Sequence, residues 1–313
     1  MNNYKFGEVF ESDAPMSSRP SRSTARARKS YNEDLIAPSF GENDDGIPNP
    51  CFHPCYDFMQ SAGILDDFMT LVGKVGLTEY MQDERHQYVN LTKIFVESFS
   101  FNNSSFNPSV SFKIYNNTTK LPSSTFCSII GVSNKGTSSR IKDQPADLLE
   151  IYRGVTNDDS RTAQRGKIRN IQLPSLRYFA YYLASNVLGR ENTSNISNYH
   201  LAFLVAALEG NSRYNLGVVI ARRLAARGPI FGGIIASRMA EYLGHAIDPN
   251  DEIMPLQRLD LDVMKGHRFV TANSTLQQLV YRMVFLDGTE REIPLPQSDL
   301  FDLRRKPWSR SKD

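Results

Sequence analysis

Residues Leu173–Gly189 read LPSLRYFAYYLASNVLG, and this stretch decides the fold class. Pro174 suits the first turn of a helix, where a missing N–H costs nothing and φ is already preset. Leu176, Phe179, Ala180, Leu183 and Val187 then recur at helical intervals, and Gly189 ends the run. Downstream, Ser197 is placed to cap a helix whose face is Leu201, Leu204, Val205 and Leu208. Ala and Phe occupy the other faces, so this helix is expected at the centre of the domain. Leu216, Ile220 and Leu224 lead a third helix that stops at Gly228-Pro229. Phe231, Ile234, Ile235, Met239 and Leu243 lead a fourth, stopped by Gly244. The short links predict consecutive helices packed as antiparallel neighbours. A short helix near Asp260–Lys265 follows, and the apolar stretch Leu276–Leu286 fits either element type.

Upstream, Leu65, Phe68, Met69 and Val72 share one helical face, whereas Val89–Phe99 fits helix or strand. Val110, Phe112 and Ile114 alternate with Ser111 and Lys113, the period of a half-buried strand. Asn116-Asn117 supplies residues that tolerate a left-handed hairpin turn. Phe126, Ile129 and Ile130 make a brief helix face, with Ser123 or Ser124 available as a cap and Gly131 as a stop. One further helix is predicted around Pro145–Tyr152. The result is an α+β, mainly α fold: a helical domain with one β-hairpin, flanked by disordered tails.

Residues 1–55 form a basic, then acidic N-terminal region predicted to be disordered, because neither half has apolar periodicity. Residues 56–135 make a helix, hairpin and short-helix subdomain, 136–170 a polar linker, 171–290 a helical subdomain, and 291–313 a basic disordered tail. The chain has 313 residues, 40% of them apolar and 22% charged, with a net charge of +2. Those values exclude a collagen, a coiled-coil rod and a multispanning membrane protein. Three Cys do not make a disulfide framework, and a reducing compartment is expected. The chain begins without a signal peptide, and apolar runs such as Leu201–Leu208 fall far short of the ~20 residues a bilayer needs. An intracellular protein of the cytoplasm or nucleus, with no membrane contact, follows as the expectation.

Residues that could carry chemistry are few. Cys51-Phe52-His53-Pro54-Cys55 offers three zinc-ligand types in five residues, but a structural zinc needs a second pair downstream, and none is present. No metal is therefore expected. Gly131–Ser138 has phosphate-loop glycine spacing with its Lys one place early. Asp66-Asp67, Asp158-Asp159 and Asp260 with Asp262 read as solvated or capping acids. No nucleophile with a recognisable base stands out, so no catalytic residue, cofactor or small-molecule substrate is expected. Basic residues remain. Arg19, Arg22, Arg26, Arg28 and Lys29 form an arm without an acid, suited to salt-sensitive binding of RNA or DNA phosphates. Arg222, Arg223 and Arg227 cluster on the third helix, with no aromatic interleaved in the local sequence.

The segments Leu173–Arg190, Leu201–Gly210 (LAFLVAALEG), Asn215–Ala225 (NLGVVIARRLA), Phe231–Gly244 (FGGIIASRMAEYLG) and Leu259–Asp262 resemble plant retrotransposon proteins. The similarity is to gag-like, first-open-reading-frame proteins of Athila-type gypsy elements and their domesticated relatives. Upstream, Val110–Ile114 followed by Leu121–Gly131 is similar to that family's strand-turn-strand-helix unit. The resemblance implies a non-enzymatic, mostly helical protein that self-associates or binds the element's RNA. A second expectation is a domesticated nuclear adaptor working through protein contacts alone. No zinc knuckle, protease triplet or polymerase motif accompanies these segments.

Overall fold

The computed structural model describes residues 48–104, 107–137, 146–156, 166–188, 195–210, 214–226, 232–273, 278–284 and 289–296. A short strand, β1 (Phe52–Pro54), leads into α1 (Tyr56–Ala62), α2 (Leu65–Val75) and α3 (Thr78–Met81). Glycines 63 and 76, with φ of 72° and 73°, close the first two helices in the left-handed conformation that favours glycine. On α2 the buried face is Phe68, Leu71, Val72 and Val75, so the stripe read from sequence is rotated: Leu65 and Met69 lie at its edge.

The ambiguous segment is a helix, α4 (Val89–Ser98), which buries Leu91, Thr92, Phe95 and Val96. Its first turn has no cap from the preceding Tyr88. Asp251, 160 residues away, caps it instead: its carboxylate oxygens each accept at 2.8 Å from the Asn90 and Leu91 N–H groups. Strands β2 (Ser100–Asn102), β3 (Ser109–Ile114) and β4 (Asn117–Pro122) follow as an antiparallel sheet in that order. Val110, Phe112 and Ile114 face inward, where Phe112 meets Phe95 at 5.0 Å and stacks on Phe99 at 6.1 Å. The hairpin closes at Ile114↔Asn117, so its turn is Tyr115-Asn116, and Tyr115 takes the positive φ of 48°. The Asn pair was the expected left-handed site. Tyr115 holds it because its hydroxyl is anchored, donating to Asp251 and accepting from the Asp248 N–H, both at 3.1 Å.

Helix α5 (Ser123–Ile129) begins where β4 ends, leaving Pro122 at the cap position. Neither Ser123 nor Ser124 caps it. Ser123 is already inside the first turn, buried, and its N–H donates to the Pro108 carbonyl at 2.8 Å. Next come α6 (Ala146–Thr156), a 3-10 turn at Ile168–Asn170, and α7 (Pro174–Tyr182), which runs on as a π turn through Leu183–Val187. Then follow α8 (Asn198–Glu209), α9 (Leu216–Ala225), α10 (Gly233–Tyr242), β5 (Gln257–Leu259) and α11 (Leu261–Gly266). Strands β6 (Val270–Asn273), β7 (Gln278–Val284) and β8 (Glu290–Pro294) form a second antiparallel sheet, so the described part of the ambiguous apolar stretch, Gln278–Val284, is a strand. Strand β1 pairs in parallel with β5, joining Phe52 to Gln257. The α+β, mainly helical reading thus holds, and two small sheets accompany the hairpin. Gly189, Gly228 and Pro229, expected as helix stops, lie outside the described residues.

Helix α8 is buried from His200 to Leu208, as its composition implied, and Ser197 caps it in a reciprocal box with His200. Consecutive helices are not each other's main neighbours. Helix α8 packs on α2 and α6, α9 on α5 and β2, and α10 on α4. A helix apolar on every face needs partners on every side, and the first half of the chain supplies them.

Helix α7 is the centre. Every residue from Ile171 to Leu188 is buried, including its polar ones. Phe68 of α2 packs against Tyr178, Phe179 and Tyr182 at 5.2–6.2 Å. The Tyr178 hydroxyl accepts from the Cys55 N–H at 3.1 Å and donates to the Leu259 carbonyl at 2.9 Å, bracing the β1–β5 pair. Asn186, in the π turn, accepts from the Phe52 N–H at 2.7 Å. Arg177 is fully buried; its two Nη groups donate to the carbonyls of Arg282 (2.7 Å) and Arg268 (2.9 Å). Its guanidinium carbon lies 5.4 Å from the Phe269 ring centre and 5.2 Å from that of Tyr281.

Hydrogen bonds from a charged donor contribute about 1.5–3 kcal/mol each. Arg177→Ala is therefore expected to cost about 3 kcal/mol or more, and Arg177→Lys about 1–3 kcal/mol, since an ammonium lacks the fork that spans both carbonyls. Urea unfolding midpoints check this, and a Lys variant as stable as the native chain would contradict it.

Candidate functional site

In an extended segment side chains at i, i+2 and i+4 share a face, so Cys51, His53 and Cys55 are placed to converge. Their environments differ. Cys51 is buried against the first N–H groups of α10, those of Gly233 and Ile234, and burial pushes its thiol up to about 12. The Gln87 side chain clasps the Cys51 backbone, accepting from its N–H at 2.7 Å and donating to its carbonyl at 3.3 Å. A side chain at Gly233 would sit 2.5 Å from Gln87 Oε1, so only glycine lets α10 approach. His53 is 1% exposed, and neither ring nitrogen has a hydrogen-bond partner. Burial lowers its pKa, with Glu84 and Asp83 opposing and Arg258 reinforcing the shift. Cys55 is half-buried at the start of α1. Zinc needs thiolates, and a thiol held protonated to about 12 resists becoming one. Among the described residues no group of three or more His, Cys, Asp or Glu side chains is arranged to hold a metal.

The remaining candidates serve the fold. Cys127 is buried against α9, its thiol raised to about 11 by burial, and any side chain at Gly217 would overlap its sulfur. Asp260 caps α11, accepting from the N–H groups of Asp262 and Val263. Asp66 and Asp67 lie in the first turn of α2, where the helix dipole favours acids. In the phosphate-loop lookalike, Gly136 packs directly on the Tyr214 backbone. Asp158, Asp159 and Ser138 lie outside the described residues.

Of the basic candidates, Arg19, Arg22, Arg26, Arg28, Lys29 and Arg227 lie outside the described residues, so geometry bears only on Arg222 and Arg223. Both are half-buried on α9. The Arg223 guanidinium lies 5.9 Å from the Tyr199 ring centre, and its Nε donates to the Leu188 carbonyl at 3.1 Å, closing the end of the π turn. Arg222 lies over Phe101 at 6.0 Å. The local sequence offered these arginines no aromatic partner; tertiary structure brings one to each from β2 and α8. Two features escaped the sequence reading entirely. Asp83 binds both Arg85 (2.6 Å) and Arg238, and Arg85 also binds Glu241, in a network joining the segment after α3 to α10. A cleft of about 710 Å³ opens where β2, β3, β4 and α5 meet, lined among the described residues by Asn, Ser and Pro with Leu121 and Lys120 and by no carboxylate. Their residues are polar and scattered, so no periodicity marks them.

The model of the ATHILA ORF-1 family matches residues 50–217, more than half of the chain. The chain belongs to the ATHILA ORF-1 family. It is thus a retrotransposon-derived protein. No curated protein and no solved structure matches it. The ATHILA match starts just before β1 and ends at the start of α9, so it takes in β1, α7 and α8 but stops short of α10 and β5. It begins upstream of the first segment whose similarity was read from sequence, Val110–Ile114, and ends before the last, Leu259–Asp262. Among the described residues of this ORF-1 protein no helix is long and apolar enough to cross a membrane.

The thiol environments make the chain's reactivity unequal. With Cys51 and Cys127 buried and held protonated, a thiol reagent at neutral pH is expected to label Cys55 quickly and the other two only on unfolding. Peptide mapping after brief labelling reads the outcome; fast modification of Cys51 would contradict the packing.

His53 and His267 both have pKa values lowered by burial, with Arg177 adding to the effect at His267. An unfolded His takes up its proton near pH 6.5, before either folded imidazole does. Their contribution to stability is therefore present above about pH 6.5 and lost as pH falls below it. Urea unfolding between about pH 7 and 5.5 is expected to show that loss, and H53Q/H267Q to flatten it. An equal pH slope in the double variant would refute the assignment.

Proposed function

We propose that this ORF-1 protein is a non-enzymatic, gag-like structural protein that self-associates and binds nucleic acid weakly through its basic tails. The separation of charge supports the reading most. The Ser17–Ser30 arm holds five cations and no acid, within a chain whose net charge is only +2. The core, by contrast, spends its polar groups on itself: Arg177, Tyr178 and Asn186 all bond to backbone. Arg222 and Arg223 contribute less than the arm because Phe101, Tyr199 and the Leu188 carbonyl already hold them. Cys51 and Cys127, protonated at neutral pH, are poor nucleophiles, in keeping with a non-enzymatic role.

Single-stranded RNA binding measured by fluorescence anisotropy between about 50 and 200 mM salt tests the reading. Replacing Arg19, Arg22, Arg26, Arg28 and Lys29 by Ala is expected to weaken binding and to flatten the log–log salt slope by up to about 3.5, near 0.7 per lost phosphate contact. Unchanged affinity and slope would remove the arm from the mechanism.

A second reading, a domesticated nuclear adaptor, draws support from Tyr242, Ile253 and Leu256, large apolar side chains that are 50–60% exposed. Negligible RNA affinity at ~0.1 M salt together with a stable protein partner would favour it.

A further inference from the structure

A basic arm binds phosphates without regard to sequence; reading bases takes amides and hydroxyls fixed on a rigid frame. The cleft at the open end of the first sheet has that chemistry. The pairings Asn102↔Ser109 and Ser109↔Pro122 set three strands side by side, a row about 10 Å wide at the usual ~4.8 Å spacing. Asn102, Asn107, Lys120 and Ser124 are exposed on its walls. Among the described residues none of those four side chains has a hydrogen-bond or ion-pair partner. Pro108 and Pro122 add flat apolar surfaces. Among the described residues no carboxylate lines the cleft, and its volume of about 710 Å³ has room for more than one nucleotide.

We propose that this cleft binds single-stranded nucleic acid and discriminates between bases. The inference rests on the nucleic-acid reading above and adds to it a site in the folded domain, separate from the arm. The Asn102 and Asn107 amides each offer a donor and an acceptor to a base edge, the pairing by which amide side chains read adenine. The Lys120 ammonium takes a phosphate, and the two prolines pack against sugar or base faces. A cleft whose described lining holds one cation and no acid favours a strand that brings one phosphate and one or two bases. It gives an acidic peptide too little charge to hold.

The test uses the full chain and fluorescently labelled eight-nucleotide homopolymers of A, C and U at two salt concentrations. The native protein is expected to rank them with affinities at least about fivefold apart, the lower end of what one well-placed amide pair provides. N102A/N107A is expected to bring the three within twofold of each other while keeping most of the binding. K120A is expected to weaken all three and to reduce the salt slope by about 0.7. The arm variant should weaken all three equally and leave their ranking intact. Because the substituted side chains are exposed, unchanged thermal unfolding serves as the control for folding. Binding without ranking, or ranking that survives N102A/N107A, overturns this inference and leaves the arm's role standing. Ranking abolished by the arm variant alone also overturns it. Absence of binding to any oligomer overturns both.

Discussion

The architecture depends on a buried guanidinium. Arg177 sits fully buried in the middle of α7, and a charge in that position is tolerated only when hydrogen bonds and ring faces compensate it. The two carbonyls that occupy them belong to Arg268, after α11, and to Arg282, on β7. Arg268 takes a φ of 55°, a conformation a side chain rarely adopts, and its carbonyl is thereby aimed inward. Phe269 and Tyr281 close over the guanidinium on either side. The second sheet is thus placed by one side chain of the central helix. The same helix places the β1–β5 pair through Tyr178 and the Phe52 backbone through Asn186.

This arrangement explains what could be read from the residues and what could not. Helix positions follow from apolar spacing, and Phe68, Leu204 and Phe179 lie in the core where their periodicity placed them. The alternation of Val110, Phe112 and Ile114 gave β3 the correct inner face. Charges and caps are different, because their meaning depends on a partner distant in sequence. Arg177 looks like any helix-surface arginine until the two carbonyls about 100 residues downstream are known. Asp251 looks like a loop acid, yet it caps α4. Tyr115 took the turn conformation expected of asparagine because distant acids anchor its hydroxyl. Of the candidate site, Arg222 and Arg223 were legible as a basic pair, but their supporting rings were not. The cleft was invisible, since its amides and hydroxyls come from two strands, a helix and the loops beside them, with no shared period.

The polar groups of the domain fall into two populations with opposite fates. Inside, Arg177, Tyr178, Asn186 and Gln87 are consumed by backbone contacts and set the geometry of the strands. Outside, Asn102, Asn107, Lys120 and Ser124 face solvent around a concave surface with no internal partner.

The parallel pairing of Phe52–Pro54 with Gln257–Leu259 joins residues 205 positions apart in the chain. During synthesis the first strand must wait, unpaired, until nearly the whole domain has left the ribosome. A product released at residue 217, where the family similarity ends, would hold α7 and α8 but lack the strand beside β1 and both carbonyls that receive Arg177. The chain is therefore committed late: frameshifts or stops in its last third remove the keystone contacts of its first. Long-range closure of this kind also slows folding, because the entropy of a 205-residue loop must be met before the pairing contributes anything.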